Sequence, residues 1–393
     1  MSKMPPAMKY FLVPFYGTYL KLRYGLETKG FEALRDLDGP AVVFANHVHT
    51  LDPFFISARF PIHIRWVAGA YLFKMKVPSF LLRHWVQAIP KAQGKSDIET
   101  IRNISDALKH GDVVGLFPEG TRTWDGKMMD ITTATAKLVR LFKVPTVFIN
   151  IEGGFSKKPR WSHTERKGKV YLTVKKILYP DEIKASSISD LVEIVSENLT
   201  FDNTLWQKEN GIEYYDAKKQ ADGIERLMYA CTCCGSFETM HSEGDAVRCS
   251  ECGREYKVDG YFNLVSGDDS LSLADYHERE RRLLVPLAMT EREKEIFPVG
   301  DGILLQTGGK KRNVLLSKDF KLLCYADRME IRTKEGEDYL MPFADIDSMI
   351  ICAKYTIELY LKGRLFRIRL KDRESTLKYQ DYYFELLKHG NDN

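Results

Sequence analysis

Short apolar runs alternate with longer stretches of helical periodicity through the first two hundred residues, and nothing else in the chain constrains the fold as strongly. The runs fall at 41–45, 64–68, 86–90, 113–117, 144–151 and 170–178, with helix-like segments between them, notably 97–110 and 130–143. A run such as Ala41-Val42-Val43-Phe44 reads as a buried strand. Strands alternating with helices imply an α/β fold, a largely parallel sheet covered by helices. Ligands of open α/β sheets gather at the carboxyl ends of the strands.

Two of these runs end in chemically loaded sequence. Asn46-His47 follows the first, with Asp52 five residues beyond His47. Phe117-Pro118-Glu119-Gly120-Thr121-Arg122 follows Val113-Val114-Gly115-Leu116. Five residues of regular helix rotate a side chain by about 140°, so His47 and Asp52 cannot share a helix face. Asp52-Pro53 suits a helix start, which leaves His47 in the preceding loop, folded back toward Asp52. Histidine titrates near neutrality and suits a general base, and a carboxylate on its far nitrogen fixes the tautomer. Neither motif holds a serine or cysteine nucleophile, so direct transfer is expected rather than a covalent acyl-enzyme. Arg122 offers a planar fork of donors to phosphate, and the backbone at Gly120 can approach a ligand closely. Taken singly, a structural histidine, a helix cap, a strand-ending turn and a surface arginine would account for these residues. Their combination at two strand ends points to catalysis.

The two motifs resemble those of the glycerolipid acyltransferase family, which includes the 1-acylglycerol-3-phosphate acyltransferases. The resemblance covers roughly residues 1–200, and Val144-Pro145 opening a strand also fits it. It implies that His47 is the base, that Asp52 orients it, and that Glu119 and Arg122 bind the acceptor around Gly120 and Thr121. The implied reaction moves an acyl group from acyl-CoA or an acyl carrier protein thioester to the free hydroxyl of a lysophospholipid, 1-acylglycerol-3-phosphate, in phospholipid synthesis. The second motif departs from the family. Phe73-Lys74-Met75-Lys76-Val77-Pro78 and Ala88-Ile89-Pro90 fit, but Gln93 stands where the family places a phosphate-holding arginine. Lys91 and Lys95 flank Gln93 and are candidate substitutes. Glycerol-3-phosphate or another lysolipid therefore stays open as acceptor, as does an inactive membrane-binding adaptor. The intact His47, Asp52, Glu119 and Arg122 argue against the adaptor.

A net charge of +4 over 393 residues supplies no basic field for nucleic acid. The uncharged stretch from Tyr10 to Leu20 is eleven residues, against about 20 for a spanning helix, and no small-residue cleavage site follows it. Tyr10, Phe11, Phe15, Tyr16 and Tyr19, between Lys9 and Lys21, suit an interfacial anchor or a helix packed by its aromatic face. The expectation is a cytoplasmic enzyme, peripheral on the inner face of the cell membrane. The basic, aromatic stretch 157–169 reads either as a headgroup- or carrier-binding loop or as a solvated connection.

Cys231-x-x-Cys234 and Cys249-x-x-Cys252 are two knuckles separated by fourteen residues. Four thiolates at such spacing close a tetrahedral, structural Zn²⁺ site of the zinc-ribbon kind, with Cys233 to spare. Residues 266–295 read as a charged helical linker. Alternating strands follow from 296, with a hairpin at Lys362-Gly363-Arg364 and a final amphipathic helix. That order resembles a pleckstrin-homology-type barrel in pattern. The expected organisation is 1–205 acyltransferase, 206–228 helical linker, 229–265 zinc ribbon, 266–295 linker and 296–393 β-rich, barrel-like domain.

Overall fold

The computed structural model describes every residue except 1–4, 7, 75, 92–97, 217, 310–312 and 391–393. The chain forms two compact units. The first comprises Met1–Pro159 and Arg166–Tyr214, the second Arg160–Glu165 and Tyr215–Asn393.

The first unit is built on strands β1 (Glu27–Lys29), β2 (Ala41–Ala45), β3 (Ile64–Gly69), β4 (Ile89–Lys91), β5 (Val113–Leu116), β6 (Thr146–Glu152) and β7 (Tyr171–Leu178). Their order in the sheet is β1-β7-β6-β2-β5-β3-β4. Neighbours run parallel except β6 and β7, which are antiparallel. Every residue of β2 and β5 is buried, as their apolar runs require. Helices Ile98–Lys109, Thr132–Phe142 and Ile188–Leu199 bring Ile104, Leu108, Val139, Leu191 and Val195 into one core with Val42, Phe44, Val114 and Phe148. The last helix starts on a capping box, in which Ser187 and Asp190 satisfy each other's backbone N–H.

Two differences from the sequence reading have local causes. The run 86–90 is strand only from Ile89, because Leu82–Val86 coils as a π-helix that Gln87 ends at φ 53°. Strand β1 has all three residues exposed, so it carries no apolar pattern to be read.

Sheet register then places the motifs. Ala41 pairs Val113 and Phe44 pairs Leu116 in parallel, so the chain leaves β2 and β5 side by side at one edge. At the N-terminus a π-helix, Met8–Tyr16, runs into helix Gly17–Tyr24. Leu20 and Tyr24 are buried there, while Tyr10, Phe15, Tyr19 and Leu22 are exposed. Among the described residues no helix is long and apolar enough to cross a membrane.

The second unit holds an antiparallel meander of strands β8 (Met240–Glu243), β9 (Ala246–Cys249), β10 (Glu255–Val258), β11 (Asn263–Ser266) and β12 (Asp269–Ser272). The stretch 266–295 thus first adds a strand to this sheet. Only then comes helix Leu273–Arg282, which buries Tyr276, His277 and Glu280.

An open antiparallel sheet follows: β13 (Gly300–Thr307), β14 (Val314–Ser317), β15 (Phe320–Cys324), β16 (Arg328–Thr333), β17 (Asp338–Pro342), β18 (Ile346–Cys352), β19 (Thr356–Leu361) and β20 (Arg364–Leu370). Its order is β17-β16-β15-β13-β20-β19-β18, with β14 against β13. Lys362 and Gly363, at φ 47° and 74°, turn the β19–β20 hairpin. Helix Leu377–Gly390 buries Tyr379, Tyr382 and Tyr383.

The basic stretch after β6 is not solvated throughout. Arg160 and Trp161 are buried within the second unit, where the Arg160 guanidinium donates to the Ala353 carbonyl at 2.9 Å and to that of Ile351 at 2.5 Å. The stretch closes at its neck, where Arg166 N donates to Lys157 O at 2.8 Å.

Candidate active site

The loop after β2 is organised by one carboxylate. Helix Asp52–Ser57 begins at Asp52 with Pro53 in its first turn, and the preceding loop folds back over that start. Asp52 Oδ2 lies 2.8 Å from His47 Nδ1 and accepts the backbone N–H of Val48 and His49 at 2.7 and 2.8 Å. Asp52 is wholly buried, whereas the His47 ring stays 21% exposed. A fixed acceptor on Nδ1 holds the proton there and leaves Nε2 as the basic nitrogen.

The loop after β5 joins the first through a second buried carboxylate. Glu119 Oε1 accepts the His47 backbone N–H at 2.7 Å, and Oε2 that of Met129 at 3.4 Å. Burial pushes the Glu119 carboxyl up to about 8, against the opposing pull of these two hydrogen bonds. Thr123 N also donates to His47 O at 2.9 Å. Glu119 is thus turned onto the backbone that carries His47.

Gly120, at φ +67°, occupies the turn that a side chain would strain. A methyl group in its place would stand 4.0 Å from Lys91 Nζ, so Lys91, at the end of β4, reaches the same edge. Thr121 and Arg122 are half-buried in the same loop. His47, Asp52, Glu119, Gly120 and Lys91 are therefore brought together at one strand-end edge. Lys95 and Gln93 lie outside the described residues.

Several contributors have no role that the motifs assign. Asn46 clamps β6: its Oδ1 accepts Ile151 N–H at 2.7 Å and its Nδ2 donates to Ile151 O at 3.0 Å. A buried amide directly after an apolar run was the readable hint. The His47 ring stacks on Phe117 at 4.4 Å between centroids, and Phe117 stacks on Trp66 at 4.7 Å. Trp66 lies on β3, and no local spacing connects it with His47.

In the second unit the Sγ atoms of Cys231, Cys234, Cys249 and Cys252 all lie within 4.8 Å of one another. Cys231–Cys252 and Cys234–Cys249 are 3.7 and 3.8 Å apart, and none of the four is in a disulfide. A tetrahedron of thiolates about 2.3 Å from a Zn²⁺ has edges of about 3.8 Å. The four residues fit, and the group could hold a metal ion. Cys233 is exposed and outside it.

No curated protein matches this chain. Similar solved structures include the 1-acyl-sn-glycerophosphate (LPA) acyltransferase PlsC from Thermotoga maritima, at 21% identity and a TM-score of 0.42 over 52% of this chain and 80% of that one. The C-terminal domain of an unknown protein from Leishmania infantum is 12% identical, with a TM-score of 0.19, over 24% of this chain and 84% of that one. Residues 25–152, which hold His47, Asp52, Glu119 and Arg122, match the family model described as acyltransferase. Residues 25–152 are accordingly an acyltransferase domain by that match, and the motifs they hold resemble those of the glycerolipid acyltransferase family.

Proposed function

We propose that the chain transfers an acyl group from a coenzyme A or acyl carrier protein thioester to the free hydroxyl of 1-acylglycerol-3-phosphate. The His47–Asp52 pair, 2.8 Å apart at the strand-end edge, is the observation that carries this reading. His47 Nε2 takes the hydroxyl proton as the oxygen bonds to the thioester carbonyl carbon. The tetrahedral intermediate then collapses, the C–S bond breaks, and the imidazolium returns its proton to the leaving thiolate. Asp52 keeps the other ring proton on Nδ1 and stabilises the imidazolium. Arg122 and Lys91 supply the positive charge for the acceptor phosphate, and Gly120 and Thr121 let the backbone come close. Glu119 serves by fixing the His47 backbone.

Exposed Tyr10, Phe15 and Leu22 support a peripheral seat on the membrane, where a lysophospholipid acceptor resides. Cys231, Cys234, Cys249 and Cys252 hold a Zn²⁺ with no open position, which makes it structural. The test is incubation of the purified protein with acyl-CoA or acyl carrier protein thioester and 1-acylglycerol-3-phosphate, with the diacyl product measured by mass spectrometry. His47→Ala is expected to abolish product, and Asp52→Asn to lower kcat by about 10²–10⁴-fold. Product formed equally by wild type and His47→Ala would sink the mechanism.

A further inference from the structure

We infer that Trp66, through Phe117, is a positioning residue that sets the plane of the His47 imidazole. The inference rests on the acyltransferase reading of His47. A hydrogen bond from Nδ1 to Asp52 fixes one corner of a ring but leaves it free to swing about the Nδ1···Oδ2 line. The direction of Nε2, from which the base must act, then depends on what lies against the ring face. That face is Phe117, 4.4 Å away with 21° between the planes. Phe117 is half-buried in a loop and needs backing of its own, which Trp66 gives at 4.7 Å and 11°.

Trp66 is in turn held on two sides. It pairs with Gly115 across β3 and β5, and its indole lies flat over that glycine: a Cβ on Gly115 would come within 2.4 Å of Trp66 Cε3. Its Nε1–H donates to Ser57 Oγ at 2.9 Å. Ser57 is the last residue of the helix that begins with Asp52. The contacts therefore form a closed circuit: His47 to Asp52, along one short helix to Ser57, across to Trp66, through Phe117 and back to His47. Asp52 opens that helix and Trp66, on β3, is bonded to its last residue, so the edge and the face of the imidazole are both referred to one short helix. Placing a base to within a fraction of an ångström is the kind of task such a circuit performs, since a shift of about 1 Å can cost roughly 10²-fold in rate.

The experiment uses the full chain carrying Trp66→Leu, Trp66→Phe and Phe117→Leu, the last at a half-buried loop position. In the acyl-transfer assay Trp66→Leu and Phe117→Leu should each lower kcat by about 10- to 100-fold, with KM changed less than about twofold. Trp66→Phe, which keeps an aromatic face behind Phe117, should recover most of kcat. Independently of activity, the carbon-bound protons of His47, identified by their loss in His47→Ala, should sit upfield in the NMR spectrum from the Phe117 ring current. They should move downfield in Trp66→Leu and stay in Trp66→Phe. An unmoved His47 resonance in folded Trp66→Leu overturns the positioning role, as does kcat equal to wild type. Inactive wild type with the resonance shifts as expected would sink the acyltransfer reading while leaving the stack intact.

Discussion

Glu119 shows what one residue at this site costs and does. Its carboxyl is buried and pushed up to about 8, with desolvation outweighing two backbone N–H donors. In the unfolded chain it titrates near 4.5. Below that pH both states hold the proton. Between about 4.5 and 8 only the folded state does, so stability falls as pH rises and the loss is complete above about 8. Glu119→Gln cannot ionise and keeps an acceptor for the His47 N–H. Its thermal midpoint should therefore decline less than wild type between pH 5 and 8, by scanning calorimetry, and parallel declines would refute the burial account. Glu119, like Asp52, stands out in the sequence through its motif. Its aim at the His47 backbone does not, because a motif names residue types and not which way a carboxylate turns.

At the scale of elements, apolar runs identify strands where both faces are buried, as in β2, β5 and β6. They fail where burial is absent, as in β1, or where a left-handed residue interrupts the run, as at Gln87. The stretch 157–169 misleads for a different reason. Its charge suggests solvent, yet Arg160 finds two backbone carbonyls and Trp161 is fully buried, edge-on to Phe262 at 6.3 Å. Trp161→Ala should lower the stability of the second unit by about 3–5 kcal/mol, read from denaturant unfolding. Lys167→Ala, in the same stretch but exposed, should change it by less than about 0.5 kcal/mol. Equal effects from the two would restore the solvated-loop reading.

For the whole molecule, the metal centre is the sharpest expectation. Metal analysis of the purified chain should give one zinc per molecule, lost in Cys249→Ser and retained in Cys233→Ser, which lies outside the four-sulfur group. Removal of the metal by a chelator should lower the thermal midpoint of the second unit, since the binding free energy of a structural zinc is folding free energy. Retention of zinc by Cys249→Ser would contradict the ligand set.

The sequence by itself determined the parallel-rich α/β architecture, the two motifs at the strand ends and the four metal-competent cysteines. Each of these is encoded within a few tens of residues: a buried run, a loop that must follow it, a knuckle. Tertiary structure alone decided which strands became neighbours, and with that everything depending on register. Putting β5 between β2 and β3 sets His47 beside Glu119 and lets Trp66 lie over Gly115. Tertiary packing likewise buries Arg160, Trp161 and Ser162 of an apparently solvated loop in the second unit. Contacts of this kind join residues far apart in the chain, and long-range pairing leaves no period or spacing from which it can be read.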